Sequence, residues 1–473
     1  MTIFKFPSPF SNKTKKPFVP VHLFTASEFQ AWKKKQKATV KKQLDQAAFT
    51  CAPHKAFVLY NAKGEAQSVI GGISNPIHYL ETASITAHIQ STFSNEFLKK
   101  NSFEIKTKRK SDLEKAFLGW GMAAYKFDTY KKSDRVAPTL IWSKDVDKKT
   151  VKAALESVSL IRNLVNTPPN ELGTDELADA AKKLAETHKA KISVKKGAPL
   201  KNGFPLIHNV GKASPRPPQL VDLRWGKTTN PNITIVGKGI IYDTGGLNLK
   251  PGMYMRDMKK DMGGAAHALG LAHQIMAMKL PVNLRVLIPI AQNSVAGESY
   301  RPGDVITSRK GITVEINDTD AEGRLVVADA LAYACEGTKK DKPELLIDFC
   351  TLTGAARVAL GYDIPAFFTN NEGFIETLRQ NSVAEDDPIW PLPLWHGYEK
   401  EMNSNVADLI NDGTGRAGAI HGALFLQRFI DKSIDWIHLD CYAWEQHGKP
   451  GRPQGGADTG MRAIFDFIQQ RYG

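Results

Sequence analysis

Cysteine is scarce in this chain. Only Cys51, Cys335, Cys350 and Cys441 occur among 473 residues, and no two form a C-x-x-C pair. That excludes a disulfide scaffold and a thiolate zinc finger, and it leads us to expect a reducing compartment, the cytoplasm. Long apolar runs are also missing. No stretch reaches the roughly 18 residues that a membrane-spanning helix needs, so no membrane partner is expected. The opening residues, MTIFKFPSPFSNKTKKPF, hold no continuous apolar segment, so no secretory leader is expected. With 37 Gly and 26 Pro there is no low-complexity character. What remains is ordinary globular composition, 42% hydrophobic and 24% charged, which argues against disorder, collagen and coiled coil. At roughly 100–200 residues per domain, the length suggests about two to four domains.

Acidic charge is in short supply at one end only. The chain carries 63 Lys+Arg against 49 Asp+Glu, a formal net charge of +14. Residues 1–150 hold 26 of the basic residues and 12 of the acidic ones, and the remainder is balanced at 37 of each. The whole excess therefore lies in the first third. Such a segment is either a solvated, soluble surface or an attractor of nucleic acid or an acidic partner. Its basic runs (Lys33–Lys35, Lys106–Lys110, Lys131–Lys132) are scattered and match no nucleic-acid motif.

The charge boundary coincides with a structural one. Val151, Leu155, Val158, Leu160, Ile161 and Leu164 recur at roughly helical spacing, and Pro168-Pro169 must end the helix they predict. Residues 148–166 thus read as a connecting helix. Before it, strand-like runs (AFVLYNA, SVIGGI) mix with an amphipathic stretch (EKAFLGWGMAAYKF), which suggests a small α/β domain over 1–147. After it, over 167–473, apolar strands (NITIVG, NLRVLIPIAQN, GITVEIND, ELLIDFCTL) alternate with helical stretches (GGAAHALGLAHQIMAM, AEGRLVVADALAYACEG, TGAARVAL). The expected fold class is α/β: a small N-terminal domain joined by a helix to a larger one, whose central sheet is mostly parallel and covered by helices. A ligand site is expected at the carboxyl ends of those strands.

Two polar clusters fall at such ends. VGKGIIYDTGGLNLKPGMYMRDMKKDMGG carries Lys238, Asp243, Lys250 and Asp261, and EINDTDAEGRLVVADA carries Asp320, Glu322 and Arg324. Four carboxylates in an apolar framework need cations. Two lysines and an arginine neutralise part of that charge, and a pair of divalent metals would neutralise the rest. Carboxylates suit Mg, Mn or Zn. A lysine could join such a site only as the neutral amine, which nearby metal charge favours. His267, beyond the first cluster, is expected to face helix packing. Taken singly, DTGG and DAEGR could equally be turns and a helix start.

Together, VGKGIIYDTGGLNLKP, MKKDMGGAAH and NDTDAEGRLVVADAL resemble the leucine aminopeptidase (cytosol aminopeptidase) family, whose signature is N-T-D-A-E-G-R-L. LVNTPPNEL, FCTLTGAARVALG, VADLIND, GRAGAIHGALFLQRFI and WIHLD look like further family blocks, so the resemblance covers about residues 160–473. It implies a catalytic metallopeptidase domain over 167–473 that removes the first residue of peptides with a free amino terminus. Asp243 and Glu322 match carboxylates bridging two divalent ions, Zn or Mn. Lys238 and Asp261 match the ligands of the tighter ion, and Asp320 that of the exchangeable one. Lys250 and Arg324 match the catalytic residues that are not ligands. Thr351, Leu352 and Gly354 match the strand end that binds the substrate backbone, and Met258 lines the pocket for the first side chain, which suggests a preference for Leu or Met.

The resemblance also implies a mechanism. A metal-bridging hydroxide attacks, Lys250 stabilises the oxyanion, and a bicarbonate held by Arg324 accepts the proton. It further implies a homohexamer, and a DNA-binding role through the basic domain is the alternative it carries. There are two departures from the pattern. Asp318 stands where the family has Asn, adding charge near the exchangeable ion or facing away, and Thr244 replaces a Ser while keeping the hydroxyl. Neither change removes a ligand.

Overall fold

The computed structural model describes residues 6, 8–12, 18–338 and 340–473. They fall into two compact units. The smaller takes the residues up to Leu155 together with His447–Gln454, and the larger takes Glu156–Gln446 and Gly455–Gly473. The helix Lys148–Asn166 runs across the division.

The smaller unit is built on a six-stranded sheet. Its strands are β1 (Phe10–Ser11), β2 (Phe18–Phe24), β3 (Ala56–Tyr60), β4 (Ala66–Gly72), β5 (Ser102–Lys106) and β6 (Thr139–Ile141), in the order β1-β6-β5-β2-β4-β3. Alternation in FVPVHLF buries Val19, Val21 and Leu23. That period of two makes the segment a strand with one face in a core. Thr25 then closes a capping box with Glu28 and starts the next helix. Part of the unit's basic charge is paired locally, Lys33 with Asp45 and Arg109 with Asp112.

In the larger unit the strands are β7 (Lys191–Lys196), β8 (Gln219–Trp225), β9 (Asn232–Gly237), β10 (Gly239–Asp243), β11 (Asn283–Asn293), β12 (Val305–Thr307), β13 (Thr313–Glu315), β14 (Leu345–Cys350), β15 (Ala366–Thr369), β16 (Trp390–Pro391), β17 (Leu409–Ile410) and β18 (Asp435–Asp440), with a further short pair, β19 (Trp444–Glu445) and β20 (Gly455–Gly456). The main sheet runs β16-β15-β18-β14-β9-β11-β8-β7, with β10 alongside β11. Its centre, β18-β14-β9-β11, is parallel, while β8 and β7 pair antiparallel at one flank. The mostly parallel, helix-covered architecture expected from the sequence is present. One strand lies elsewhere: GITVEIND contributes β13 not to this sheet but to a small one, β12-β13-β17. Its short alternating pattern cannot tell a central strand from a strand of a side sheet.

The central strands are apolar on both faces; LLIDFC of β14 is buried throughout. Leu346 and Cys350 of β14, Val236 of β9 and Leu287 of β11 join a cluster with Leu325, Val326 and Leu331 of the helix Glu322–Ala334. The helix Gly263–Met278 also packs against the sheet. Its approach depends on Gly264, where an added Cβ would stand 2.1 Å from the Phe349 carbonyl oxygen. His267 on this helix is fully buried; its ring contacts the Gly263 carbonyl at 2.7 Å and accepts the Thr459 N–H at 3.0 Å. It serves packing, as expected. Because the central strands are parallel, Lys238, Asp243, Asn293, Thr351 and Asp440 all emerge at one edge of the sheet.

Candidate active site

Lys238 sits between β9 and β10 and is buried. Its Nζ donates to the Thr351 carbonyl at 2.9 Å and lies 2.7 Å from Asp261 Oδ2 and 3.0 Å from Glu322 Oε1. Lys250 Nζ lies 2.8 Å from Asp243 Oδ2 and also pairs with Asp320. Two lysines are thus interleaved among four carboxylates. Oxygens of Asp243, Asp320 and Glu322 all lie within 4.8 Å of one another.

Each position has a local cause. Asp243 ends β10, and its Oδ1 accepts from Gly245 N and Asn293 Nδ2, both at 2.8 Å. The turn after it needs a left-handed residue, supplied by Gly245 at φ 86°. Asp261 is set by Thr351, whose hydroxyl donates to Asp261 Oδ1 at 2.8 Å. Glu322 opens its helix in the first turn, where the dipole favours an acid. The loop before it is pinned by Asn411, which accepts from Asn317 N–H at 2.8 Å and donates to the Asp318 carbonyl at 2.6 Å. The Asp318 carboxylate accepts the Asp320 N–H at 2.8 Å.

The cluster holds more acid than its cations can satisfy. Burial, then Asp243, push Asp320 up to about 7. The same two causes raise Glu322 well above the usual carboxylate range. Against burial, Lys238 and Lys260 hold Asp261 down at about 2. Burial opposes the charge on Lys238 and Lys250, yet their acidic neighbours keep both ammonium groups above the ordinary lysine range. Among the described residues Glu322 Oε2 is buried with no partner, while Glu322 Oε1 and Asp320 Oδ1 each meet a single lysine. Buried carboxylate oxygens converging on one point with so few donors are a set suited to hard divalent cations.

Arg324 is buried nearby. Its NH1 donates to the Asn411 carbonyl at 3.0 Å and lies 3.9 Å from Asp412, while its Nε has no partner. Burial lowers its pKa from the ordinary arginine value. These groups line a pocket of about 660 Å³, together with Met258, Thr351, Leu352 and Gly354. All eleven residues singled out from the sequence therefore lie at one pocket. Two backbone groups of the strand end are already engaged: the Thr351 carbonyl by Lys238, and the Leu352 N–H by Asp440 at 2.9 Å.

Sequence reasoning passed over several residues here. Asn293, Asn411 and Asp440 orient the site, and Lys260, Arg357 and Tyr442 line the pocket. VADLIND and WIHLD carried a signal for Asn411 and Asp440, and the double lysine of MKKDM carried one for Lys260. A second group of possible ligands, Asp348, Cys350 and His438, lies inside the sheet. There Asp348 is already committed to His438 at 2.5 Å, Trp436 at 2.7 Å and Cys350 at 3.2 Å.

A carboxylate-rich, lysine-bearing pocket at the carboxyl edge of a helix-covered parallel sheet defines a metal-dependent hydrolase. Comparison with known proteins narrows this. Residues 159–465 match the catalytic domain of the cytosol aminopeptidase family, and residues 19–142 match the M17 aminopeptidase N-terminal domain. The chain is 38% identical over 370 residues to the "Probable cytosol aminopeptidase" of Syntrophotalea carbinolica, covering 74% of this chain and 73% of that one. The crystal structure of the cytosol aminopeptidase from Coxiella burnetii superposes with a TM-score of 0.92 at 39% identity, covering 98% of this chain and all of that one. The bottromycin maturation enzyme BotP, solved in complex with Mn, superposes at 0.83 with 27% identity, covering 96% and 99%. The chain belongs to the cytosol aminopeptidase family and is a metallo-exopeptidase acting on peptides.

Proposed function

We propose that the protein removes the first residue, preferably an apolar one such as Leu, from peptides with a free amino terminus, using two divalent ions. The observation that carries this reading is the convergence of Asp243, Asp320 and Glu322 oxygens within 4.8 Å of one another, beside Asp261 and Lys238 and with Glu322 Oε2 left without a partner among the described residues. In this reading Lys238 and Asp261 would hold one ion and Asp320 the other, with Asp243 and Glu322 shared between the two. Such a pair, Mn or Zn, would supply a hydroxide nucleophile at neutral pH and polarise the carbonyl. Lys238 would serve there as the neutral amine, its proton released to solvent.

The chain's own residues do the rest. Lys250 stays cationic between Asp243 and Asp320 and stabilises the oxyanion, an interaction stronger in the transition state than in the ground state. The substrate backbone is held by the Leu352 carbonyl and the Gly354 N–H, since Lys238 and Asp440 already occupy their neighbours. Met258, buried at the pocket wall, packs against the first side chain. Arg324, its Nε unpartnered, suits a planar oxyanion such as bicarbonate as proton acceptor.

The reading includes a catalytic domain over 167–473, a connecting helix over 148–166, a homohexameric assembly and a cytoplasmic location. Among the described residues no helix is long and apolar enough to cross a membrane. No observation favours nucleic-acid binding by residues 1–147. The deciding experiment is aminoacyl-anilide cleavage by metal-stripped protein re-supplied with Mn, Zn, Co or Mg. Activity is expected to vanish on stripping and to return with Mn or Zn. Full activity without metal would overturn the reading.

A further inference from the structure

Two cations on the pocket wall are not used in that chemistry. Arg357, half-buried on the helix Gly354–Leu360, lines the pocket. It has no carboxylate partner among the described residues, whereas Arg162, Arg285, Arg309 and Arg428 of the same unit each pair with an acid. Its guanidinium carbon lies 4.6 Å from the centroid of the Tyr442 ring, and Lys260 Nζ lies 5.2 Å from the same centroid. Lys260 is only 4% exposed, and among the described residues the carboxylate beside it, Asp261 Oδ1, is 3.6 Å away and already accepts the Thr351 hydroxyl. The ring both cations share is fixed: Tyr442 accepts from Gln446 at 2.6 Å, and Tyr362 packs on it at 5.0 Å.

We propose that Arg357 and Lys260 recognise a carboxylate on the substrate's first side chain, so that the enzyme removes amino-terminal Glu and Asp as well as apolar residues. The inference rests on the aminopeptidase reading above. Enclosing cations in a pocket wall is costly unless an anion meets them. Cation–π contact holds each group in place while leaving its N–H donors free, and the guanidinium fork matches a carboxylate in two bonds. Lys260 lies two residues from Met258, which the reading above assigns to the pocket for the first side chain, and both line the same pocket. That places the pair at the first residue rather than at the leaving side. Asp257 lines the same pocket and opposes a bound acid. Asp257→Asn should therefore raise the preference for Glu.

The test compares kcat/KM for Glu-, Asp-, Leu- and Lys-anilides in the Mn-loaded parent, Arg357→Gln, Arg357→Glu, Arg357→Lys and Lys260→Met. The parent should cleave Glu-anilide. The Glu-to-Leu ratio should fall about tenfold or more in Arg357→Gln, chiefly through KM, as expected for loss of a charge-assisted bond. Arg357→Lys should recover part of the ratio, and Arg357→Glu should shift preference toward Lys. If Lys260→Met does not fold, the Arg357 series decides alone. A parent that cleaves Leu- but not Glu-anilide overturns the proposal, as does a ratio unchanged across the Arg357 series. The carboxyl terminus of a dipeptide is the other source of the same anion. If Arg357→Gln slows Leu-Gly relative to Leu-Gly-amide while leaving the Glu-to-Leu ratio intact, the first-side-chain assignment is wrong. A parent that cleaves no anilide with any metal defeats the aminopeptidase reading itself.

Discussion

Lys238 and Lys250 are the same residue type in the same cluster, yet the proposed reading gives them different work. Lys238 is almost wholly buried and wedged between Asp261 and Glu322, with a backbone carbonyl as its third partner. Lys250 is less enclosed and faces Asp243 and Asp320. Held between Asp261 and Glu322, Lys238 would give up its proton only where metal charge took its place, whereas Lys250, more open to the pocket, would keep its charge toward substrate. Lys250→Ala should therefore lower kcat by about 10²–10³, the usual loss for an oxyanion donor, with bound metal retained. Turnover measured beside elemental analysis checks this, and loss of metal would reassign Lys250 as a ligand. Glu322 offers one oxygen to Lys238 and leaves the other, Oε2, buried without a partner among the described residues. Glu322→Ala should abolish activity and reduce metal content together. A fully active variant with two bound ions per chain would refute the ligand assignment.

At the scale of elements, the sequence was most legible where periodicity was strong and local. NLRVLIPIAQN and GGAAHALGLAHQIMAM became the strand Asn283–Asn293 and the helix Gly263–Met278 without adjustment. The eleven candidate residues could be read from the sequence because two motifs carry eight of them and the FCTLTGAA block the other three. The side sheet containing β13 was not legible, because three residues of alternation do not say which neighbour they will pair with. Lys260, Arg357 and Tyr442 were missed for a related reason. They meet around one ring, but they come from three distant stretches, and no spacing rule joins them. Gly264 shows how element packing sets the site. The helix it begins approaches β14 closely, and the Lys238 N–H donates to the Phe349 carbonyl at 3.0 Å in the same place. Gly264→Ala would put a methyl group 2.1 Å from that carbonyl oxygen. The helix must then move away from Lys238 and Asp261. Destabilisation of about 1–3 kcal/mol is expected, the ordinary cost of overpacking, together with reduced activity. Urea unfolding of parent and variant measures it, and an unchanged midpoint would mean the helix yields freely.

For the whole molecule, the question is what the chain does with apolar surface that its own fold leaves open. Leu249, Met253, Tyr254 and Tyr362 line the pocket and are exposed, Met253 at 79%. Val358, one residue beyond Arg357, is 90% exposed. Large exposed apolar side chains gathered about one functional pocket are characteristic of a surface that other chains cover or that substrate crosses. The proposed homohexamer, with active sites facing an interior cavity, would account for them, because the pocket mouths would open onto an enclosed space rather than onto bulk water. It would also limit access to short or unfolded peptides, which fits removal of single residues from a free terminus. The net charge of +14 has to be accommodated in such an assembly, and it lies in the first third of the chain. Mutual repulsion of six basic segments is least if they point away from the centre, and it weakens as salt screens it. Light scattering coupled to size exclusion should therefore give a mass near six times the 52.2 kDa of one chain. Raising the salt concentration should strengthen the assembly rather than dissolve it. A monomeric mass at micromolar protein in high salt would show that the exposed apolar residues serve substrate alone, and the hexameric reading would fall while the metal site stood.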